Sequence, residues 1–195
     1  MIYDVIETVI PKFNEENRKL LEAISTTNTH NKGEIILDQG EYCNKLWFIN
    51  EGAVKAHETV NGKTQVTYFY SENMFFTSYY CWVTANPSDM TFVTTEASEI
   101  ISIDYPKLEA LTIDHHIFDR IGRKIAERVY VDEFNLRKLL LNCTALERYE
   151  YLESEKPDLF QKFSLKDIAS FIGITDVSLS RIRKERFKSS NLVSS

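Results

Sequence analysis

Between about residues 27 and 103 the chain offers run after run of β-branched and aromatic residues, each too short for a helix and each closed by a turn signal. Nothing else in the sequence restricts the fold as strongly. The runs predict strands near 27–31, 34–37, 45–50, 53–60, 64–70, 74–80, 91–95 and 99–104. Gly33, Gly40, Asn50-Glu51-Gly52 and Asn61-Gly62 separate them, and Asn-Gly is a strong two-residue hairpin signal. About eight short strands without an intervening helix imply an antiparallel roll or barrel of the jelly-roll type.

Outside this block the patterning is helical, so the fold class is α+β. Asn14, followed by Glu15 and Glu16 and a stripe of Leu20, Leu21 and Ile24, predicts an opening helix over 14–25. From Asp114 to Leu141, Ile117, Phe118, Ile121, Ile125, Val129, Leu136, Leu139 and Leu140 recur at spacings of three and four. Such a helix is about 40 Å long at 1.5 Å per residue and outreaches one small domain. Two placements follow. It lies along its own roll, or Phe118, Ile121, Ile125, Val129 and Leu136 meet the same helix of a second copy in a short coiled coil, which is the placement we favour. Asn142-Cys143-Thr144 breaks the run. Thr144 and Glu147 restart a helix carrying Leu146, Tyr149 and Leu152, and 153–158, with Pro157, forms a loop.

The segment 163–184 reads as two short helices across a tight turn. Ser164 is placed to cap the first, with Asp167 as the acidic partner of a capping box, and Leu165, Ile168, Ala169 and Ile172 give it an apolar face. Gly173 can enter the left-handed region and stop it. Thr175 can cap the second helix, whose buried positions are Leu179 and Ile182. Between those positions stand Asp176, Ser178, Arg181 and Lys184, all able to hydrogen-bond or carry charge. Either this is a helical hairpin of an ordinary all-α domain or it is a DNA-binding helix-turn-helix, whose second helix enters the major groove. Charge favours DNA. Residues 164–195 hold six basic against three acidic side chains, a net of +3, which leaves −9 on the rest of a chain whose total is −6. A basic tip on an acidic body suits phosphate binding at one end only.

No stretch of about 18 uncharged apolar residues occurs, so no membrane span is expected. The first residues, with an early Asp4 and no basic segment, do not read as a signal peptide. Cys43, Cys81 and Cys143 are odd in number and far apart, giving neither a metal spacing nor a disulfide framework and fitting a reducing cytoplasm. No nucleophile elbow, phosphate loop, His–Cys–Asp set or paired acids at helical spacing is present, so no enzyme is expected.

Gly33-Glu-Ile-Ile-Leu-Asp-Gln-Gly40-Glu41, Leu46-Trp-Phe-Ile-Asn-Glu-Gly52-Ala-Val-Lys55 and Ile101-Ser-Ile-Asp-Tyr-Pro-Lys-Leu108, in this order and ahead of a helix-turn-helix, resemble the Crp–Fnr family of bacterial transcription regulators over essentially the whole chain. The resemblance implies a cyclic-nucleotide-binding-like roll over 1–113, a dimerisation helix over 114–142 and a helix-turn-helix domain over 143–195. It also implies a homodimer on a palindromic double-stranded DNA operator, with RNA polymerase as a further partner. Ser164 and Thr175 would touch phosphate, Asp176, Val177, Ser178 and Arg181 would face base edges, with Arg181 the best candidate for guanine O6 and N7, and Lys166 and Lys184 complete the DNA-binding set. Asp176 would accept from a cytosine amine or support the helix N-terminus. No room is left after Arg186 for the β-hairpin wing usual in the family, which predicts weak, strongly salt-dependent DNA binding, or a sensor that acts through protein contacts with DNA binding lost.

In the family a Gly-Glu pair and an arginine about ten positions later hold the cyclic phosphate. Here the matching positions carry Ser78, Tyr79 and Asp89, and no Lys or Arg lies between Lys63 and Lys107. A buried phosphate would lose a charge-assisted hydrogen bond of roughly 1.5–3 kcal/mol and gain repulsion from Asp89, so cyclic AMP is expected to bind weakly or not at all. Phe75, Phe76, Tyr79, Tyr80 and Trp82 stand in its place. They either line a pocket for an apolar or planar effector, together with Ser78 and Asp89, or simply fill the nucleotide's space; alternation along a strand prevents all five from lining one cavity. Iron–sulfur members carry clustered N-terminal cysteines, and haem members need axial ligands. The chain has neither, since His30, His57, His115 and His116 form no such set, and no cofactor is implied.

Overall fold

The computed structural model describes residues 2–11 and 13–193, with side chains as far as Arg186. Two helices, α1 (Ile2–Val9) and α2 (Glu15–Ala23), precede the strands β1 (Ser25–His30), β2 (Ile35–Leu37), β3 (Lys45–Glu51), β4 (Ala53–Val60), β5 (Lys63–Ser71) and β6 (Phe75–Phe76). A short helix α3 (Tyr79–Thr84) leads to β7 (Thr91–Thr94) and β8 (Ser98–Asp104), after which the chain is helical: α4 (Tyr105–Asp114), α5 (His116–Asn142), α6 (Ala145–Glu155), α7 (Leu159–Lys162), α8 (Leu165–Phe171) and α9 (Asp176–Val193).

The eight strands form two four-stranded antiparallel sheets, ordered β1-β8-β3-β6 and β2-β7-β4-β5. The expected hairpin is present: Asn61 and Gly62 both take positive φ, 51° and 75°, the geometry a two-residue turn needs. Alternation along β4 sends Val54 and Ala56 into the roll, where they meet Leu37, Ile49, Phe76, Phe92 and Ile100. It leaves Ala53 and Lys55 on the outer side. Gly52, between β3 and β4, has φ +96°, and a Cβ there would lie 2.7 Å from both the Ala97 carbonyl oxygen and Ser98 Cα. Gly52→Ala is therefore expected to cost about 2–3 kcal/mol, read by urea unfolding, because neither the dihedral nor the neighbouring backbone can yield cheaply.

Two segments differ from expectation. The run near 74–80 is strand only at Phe75–Phe76; Ser78 then precedes α3, which Ala85 ends in the left-handed conformation. And α1 has no counterpart in the sequence reading. Its Ile2 and Ile6, with Ile10 beyond it, pack on Phe48, Ile103, Phe118 and Ile121 as a second core on the outer face of the β1–β8–β3 sheet.

Candidate functional site

The C-terminal helix pair is built as its sequence dictates. Ser164 caps α8, its hydroxyl accepting from the Asp167 amide at 3.1 Å and donating to the Asp167 carboxylate at 2.7 Å. The reciprocal half of a capping box is replaced: the other Asp167 oxygen accepts from Lys55 Nζ of β4 at 2.5 Å. Gly173 takes φ +72°, and the Ile174 amide reaches back to the Ala169 carbonyl at 3.0 Å, ending the helix in the Schellman manner. Thr175 then caps α9 by accepting from the Ser178 amide at 3.1 Å. Ile168, Ala169, Ile172, Leu179 and Ile182 are buried together with Tyr149 and Leu152 of α6.

What these contacts leave facing solvent is a polar, cation-bearing surface. Asp176, Val177, Ser180, Arg181 and Lys184 line one open concavity along α9. Leu165, Lys166, Asp176, Leu179, Ser180 and Arg183 line a second between α8 and α9, and Asp176 joins the two. Val177 is 80% exposed, an apolar side chain presented at the tip of a helix with nothing among the described residues to cover it. Arg181 is also held out, its Nε 4.0 Å from Glu185 with the side chain 76% exposed. Of the residues expected to face DNA, Lys166, Asp176, Val177, Arg181 and Lys184 thus share one surface. Ser164, Thr175 and Ser178 use their hydroxyls as caps, Thr175 and Ser178 bonding one another at 2.9 Å. Ser180 and Arg183 were missed; both follow from the same periodicity that buries Leu179 and Ile182.

One side chain fastens this unit to the long helix. Arg148, one turn into α6, donates from Nε to the Cys143 carbonyl at 2.9 Å, from Nη1 to Ile172 at 2.9 Å and from Nη2 to Leu140 at 2.7 Å. It therefore closes the C-terminal ends of both α5 and α8 with a charge that suits their dipoles. The expected capping box of Thr144 and Glu147, which starts α6, is present. No local pattern pointed to Arg148.

The long helix divides. Phe118 and Ile121 are buried against the protomer's own roll and α1, with Ile125 partly so, as the placement along the roll requires. Beyond them α5 exposes Val129, Tyr130, Val131, Phe134 and Leu141, while Leu136 packs on the C-terminal core. His115 is the residue that precedes the first turn of α5, without a side-chain cap bond.

The roll interior is occupied by rings. Phe76 is 3% exposed and lies 5.3 Å from Trp47, 5.3 Å from Tyr70 and 5.7 Å from Phe92, centroid to centroid. Burial holds the Tyr70 phenol well above its ordinary pKa and pushes Tyr68 up to about 12, with Asp132 and Glu133 of α5 adding to the shift at Tyr68. Phe75 points the other way, 4.8 Å from Phe48 in the second core. Tyr79 and Tyr80 face out, and Trp82 stacks on Tyr105 at 3.7 Å. So of Phe75, Phe76, Ser78, Tyr79, Tyr80 and Asp89, Phe76 enters the roll core, Ser78 is buried, and Asp89 is half-buried with one oxygen enclosed. Ser78 Oγ, Trp82 Nε1 and Asp89 Oδ1 are buried without a hydrogen-bond partner among the described residues, in a segment that holds no Lys or Arg.

The family model described as cyclic nucleotide-binding domain matches residues 28–115. No curated protein matches the sequence. Among solved structures, a crp/fnr-family transcriptional regulator from Eubacterium rectale superposes with a TM-score of 0.74 at 15% identity, over 93% of this chain and 89% of that one. A CooA mutant from Carboxydothermus hydrogenoformans gives 0.72 at 14% identity, over 95% and 84% of the two chains. The global regulator CLP of Xanthomonas campestris gives 0.71 at 15% identity, over 91% and 93%.

Proposed function

We propose that this chain, whose residues 28–115 match the cyclic nucleotide-binding domain family and whose fold is that of the Crp/Fnr-type regulators, is a cytoplasmic homodimer that binds a palindromic DNA site and regulates transcription. In this reading 1–113 is a sensor roll, 114–142 the dimerisation helix and 143–195 the DNA-binding domain. The observation that carries it is the open surface of α8 and α9, where Lys166, Arg181, Arg183 and Lys184 stand exposed around Val177 on an otherwise acidic protein. Arg181 has the reach and the fork for a guanine edge, and Val177 the apolar surface for a thymine methyl. The exposed apolar half of α5, from Val129 to Leu141, supplies a face for the second copy. RNA polymerase is the partner such a dimer would address.

A cyclic nucleotide is not the effector in this reading. Ser78 and Asp89 stand where a phosphate would need donors and a cation, and Phe76 with its neighbours fills the interior. The same lack of cations argues against a cyclic dinucleotide, the ligand to which CLP responds. An uncharged planar effector, or none, remains consistent with the chemistry.

Retardation of promoter fragments at low salt tests the assignment. Wild-type protein is expected to shift them with a steep salt dependence, and Arg181→Ala to weaken specific binding by about 10–100-fold. Absence of any shift in dilute buffer would overturn the assignment in favour of signalling by protein contact.

A further inference from the structure

The roll and the DNA-binding unit touch along β5 and its neighbour β4. β5 is paired only on one side, with β4, and its two faces do different things. Inward, Tyr68 and Tyr70 join the aromatic stack. Outward, Phe69 lies 4.2 Å from Phe163 and 5.0 Å from Phe171, and with Val66 and Ala53 belongs to the same buried cluster as Ile168 and Leu179. A bulge in the β4–β5 register, between Ala56 and His57, accompanies this division.

Polar contacts frame the apolar patch. The Val66 amide donates to Ser170 Oγ of α8 at 2.9 Å. Lys55, directly opposite Phe69 in the register, pairs with Asp167. Lys162 pairs with Glu72, whose other oxygen accepts from the Gly52 amide at 3.2 Å. None of these groups lies on the α9 surface described above.

From this arrangement we propose that each roll positions its own DNA-binding unit through β4 and β5, with Lys55 as the positioning residue; the inference rests on the DNA-binding reading above. The docked unit keeps Lys166, Val177, Arg181 and Lys184 exposed, so docking presents the surface instead of covering it. Docking also compensates Asp167. That carboxylate sits in the first turn of α8, next in sequence to the exposed Lys166, where an unpaired negative charge would repel phosphate. Lys55 removes the repulsion while touching no DNA itself. In a dimer, fixing each unit on its roll also sets the separation of the two recognition helices before DNA arrives, which lowers the ordering cost of binding. Both strands turn their inner faces into the roll's core, Val54 and Ala56 from β4 and Tyr68 and Tyr70 from β5, so a change inside the roll reaches α8 through them.

The test compares wild type, Lys55→Gln and Lys55→Arg as full-length proteins, by DNA affinity over a salt series, by thermal unfolding, and by hydrogen exchange at the Val66 amide. Lys55→Gln is expected to bind DNA about tenfold more weakly, with an unchanged log–log salt slope, faster Val66 exchange and a melting temperature close to wild type. Lys55→Arg is expected to retain affinity. Wild-type affinity in Lys55→Gln would overturn the proposal, as would a slope shallower by about one, which marks a direct phosphate contact. Unaltered Val66 exchange in Lys55→Gln would also overturn it, whatever the DNA result. A wild type that binds no DNA at all would overturn the functional assignment, and this inference with it.

Discussion

Phe76→Ala is expected to lower the stability of the roll by about 3–5 kcal/mol, measured by urea or thermal unfolding. Its ring stands among Trp47, Tyr70 and Phe92 with centroid distances of 5.3–5.7 Å and almost no exposure. Truncation would remove the shared neighbour of three rings and leave a cavity that the antiparallel sheets on either side cannot close. Tyr79→Ala, three positions beyond β6 and 58% exposed, is expected to change stability by no more than about 0.5 kcal/mol. The contrast decides between the two readings of the aromatic segment. Rings that fill the core give the large difference; rings that line a vacant pocket would tolerate both changes alike.

Arg148→Ala is expected to cost about 3–4 kcal/mol and to loosen the C-terminal helical unit from α5. Its guanidinium holds the carbonyls of Leu140, Cys143 and Ile172 at once, and each bond is charge-assisted. Losing it leaves the ends of two helices without their partner, in a region where Gly173 lies only 3.4 Å, by the position of an added Cβ, from the same group. Arg148→Lys is expected to recover less than half of the loss, since an ammonium on a flexible stem cannot span carbonyls from two separate helices. Urea unfolding gives the stability, and hydrogen exchange at the α8 amides separates local loosening from global unfolding.

The elements legible in the sequence were those with local causes. Short runs of β-branched and aromatic residues between turn signals located the eight strands, although the run near 74–80 holds only two strand residues, and Ser164, Gly173 and Thr175 located the turn between α8 and α9. The run 74–80 was read as strand to its end because Phe75, Phe76, Thr77, Tyr79 and Tyr80 favour strands intrinsically, whereas the segment from Tyr79 to Thr84 is α3. It is helical because Cys81 packs against Cys43, its Sγ accepting from that amide at 3.0 Å, and Trp82 stacks on Tyr105; tertiary contacts override propensity there. The α1 helix did have a signal, isoleucines at positions 2, 6 and 10, within a segment read only for its charge. The stripe of α5 was read correctly as apolar, yet periodicity alone could not say that Phe118 and Ile121 face the protomer's own core while Val129 does not.

The contacts between the roll and the C-terminal unit had no sequence signature at all. Lys55 and Asp167 are separated by 112 positions, and each alone reads as an ordinary surface charge. Residues 73–90 were legible in a different sense. The lack of Lys and Arg between Lys63 and Lys107 gave the expectation that a cyclic phosphate binds weakly or not at all, and Ser78 Oγ and Asp89 Oδ1, buried and without a partner among the described residues, lie in that same segment.

Selection of duplexes from a random-sequence pool by the purified protein at low salt, followed by sequencing of the bound fraction, tests the central claim most directly. A dimer that carries its helix pairs on two fixed rolls predicts enrichment of a two-fold symmetric site whose half-site centres lie about one helical turn, roughly 34 Å, apart. Enrichment of a single unsymmetric half-site, or of no sequence, would contradict it.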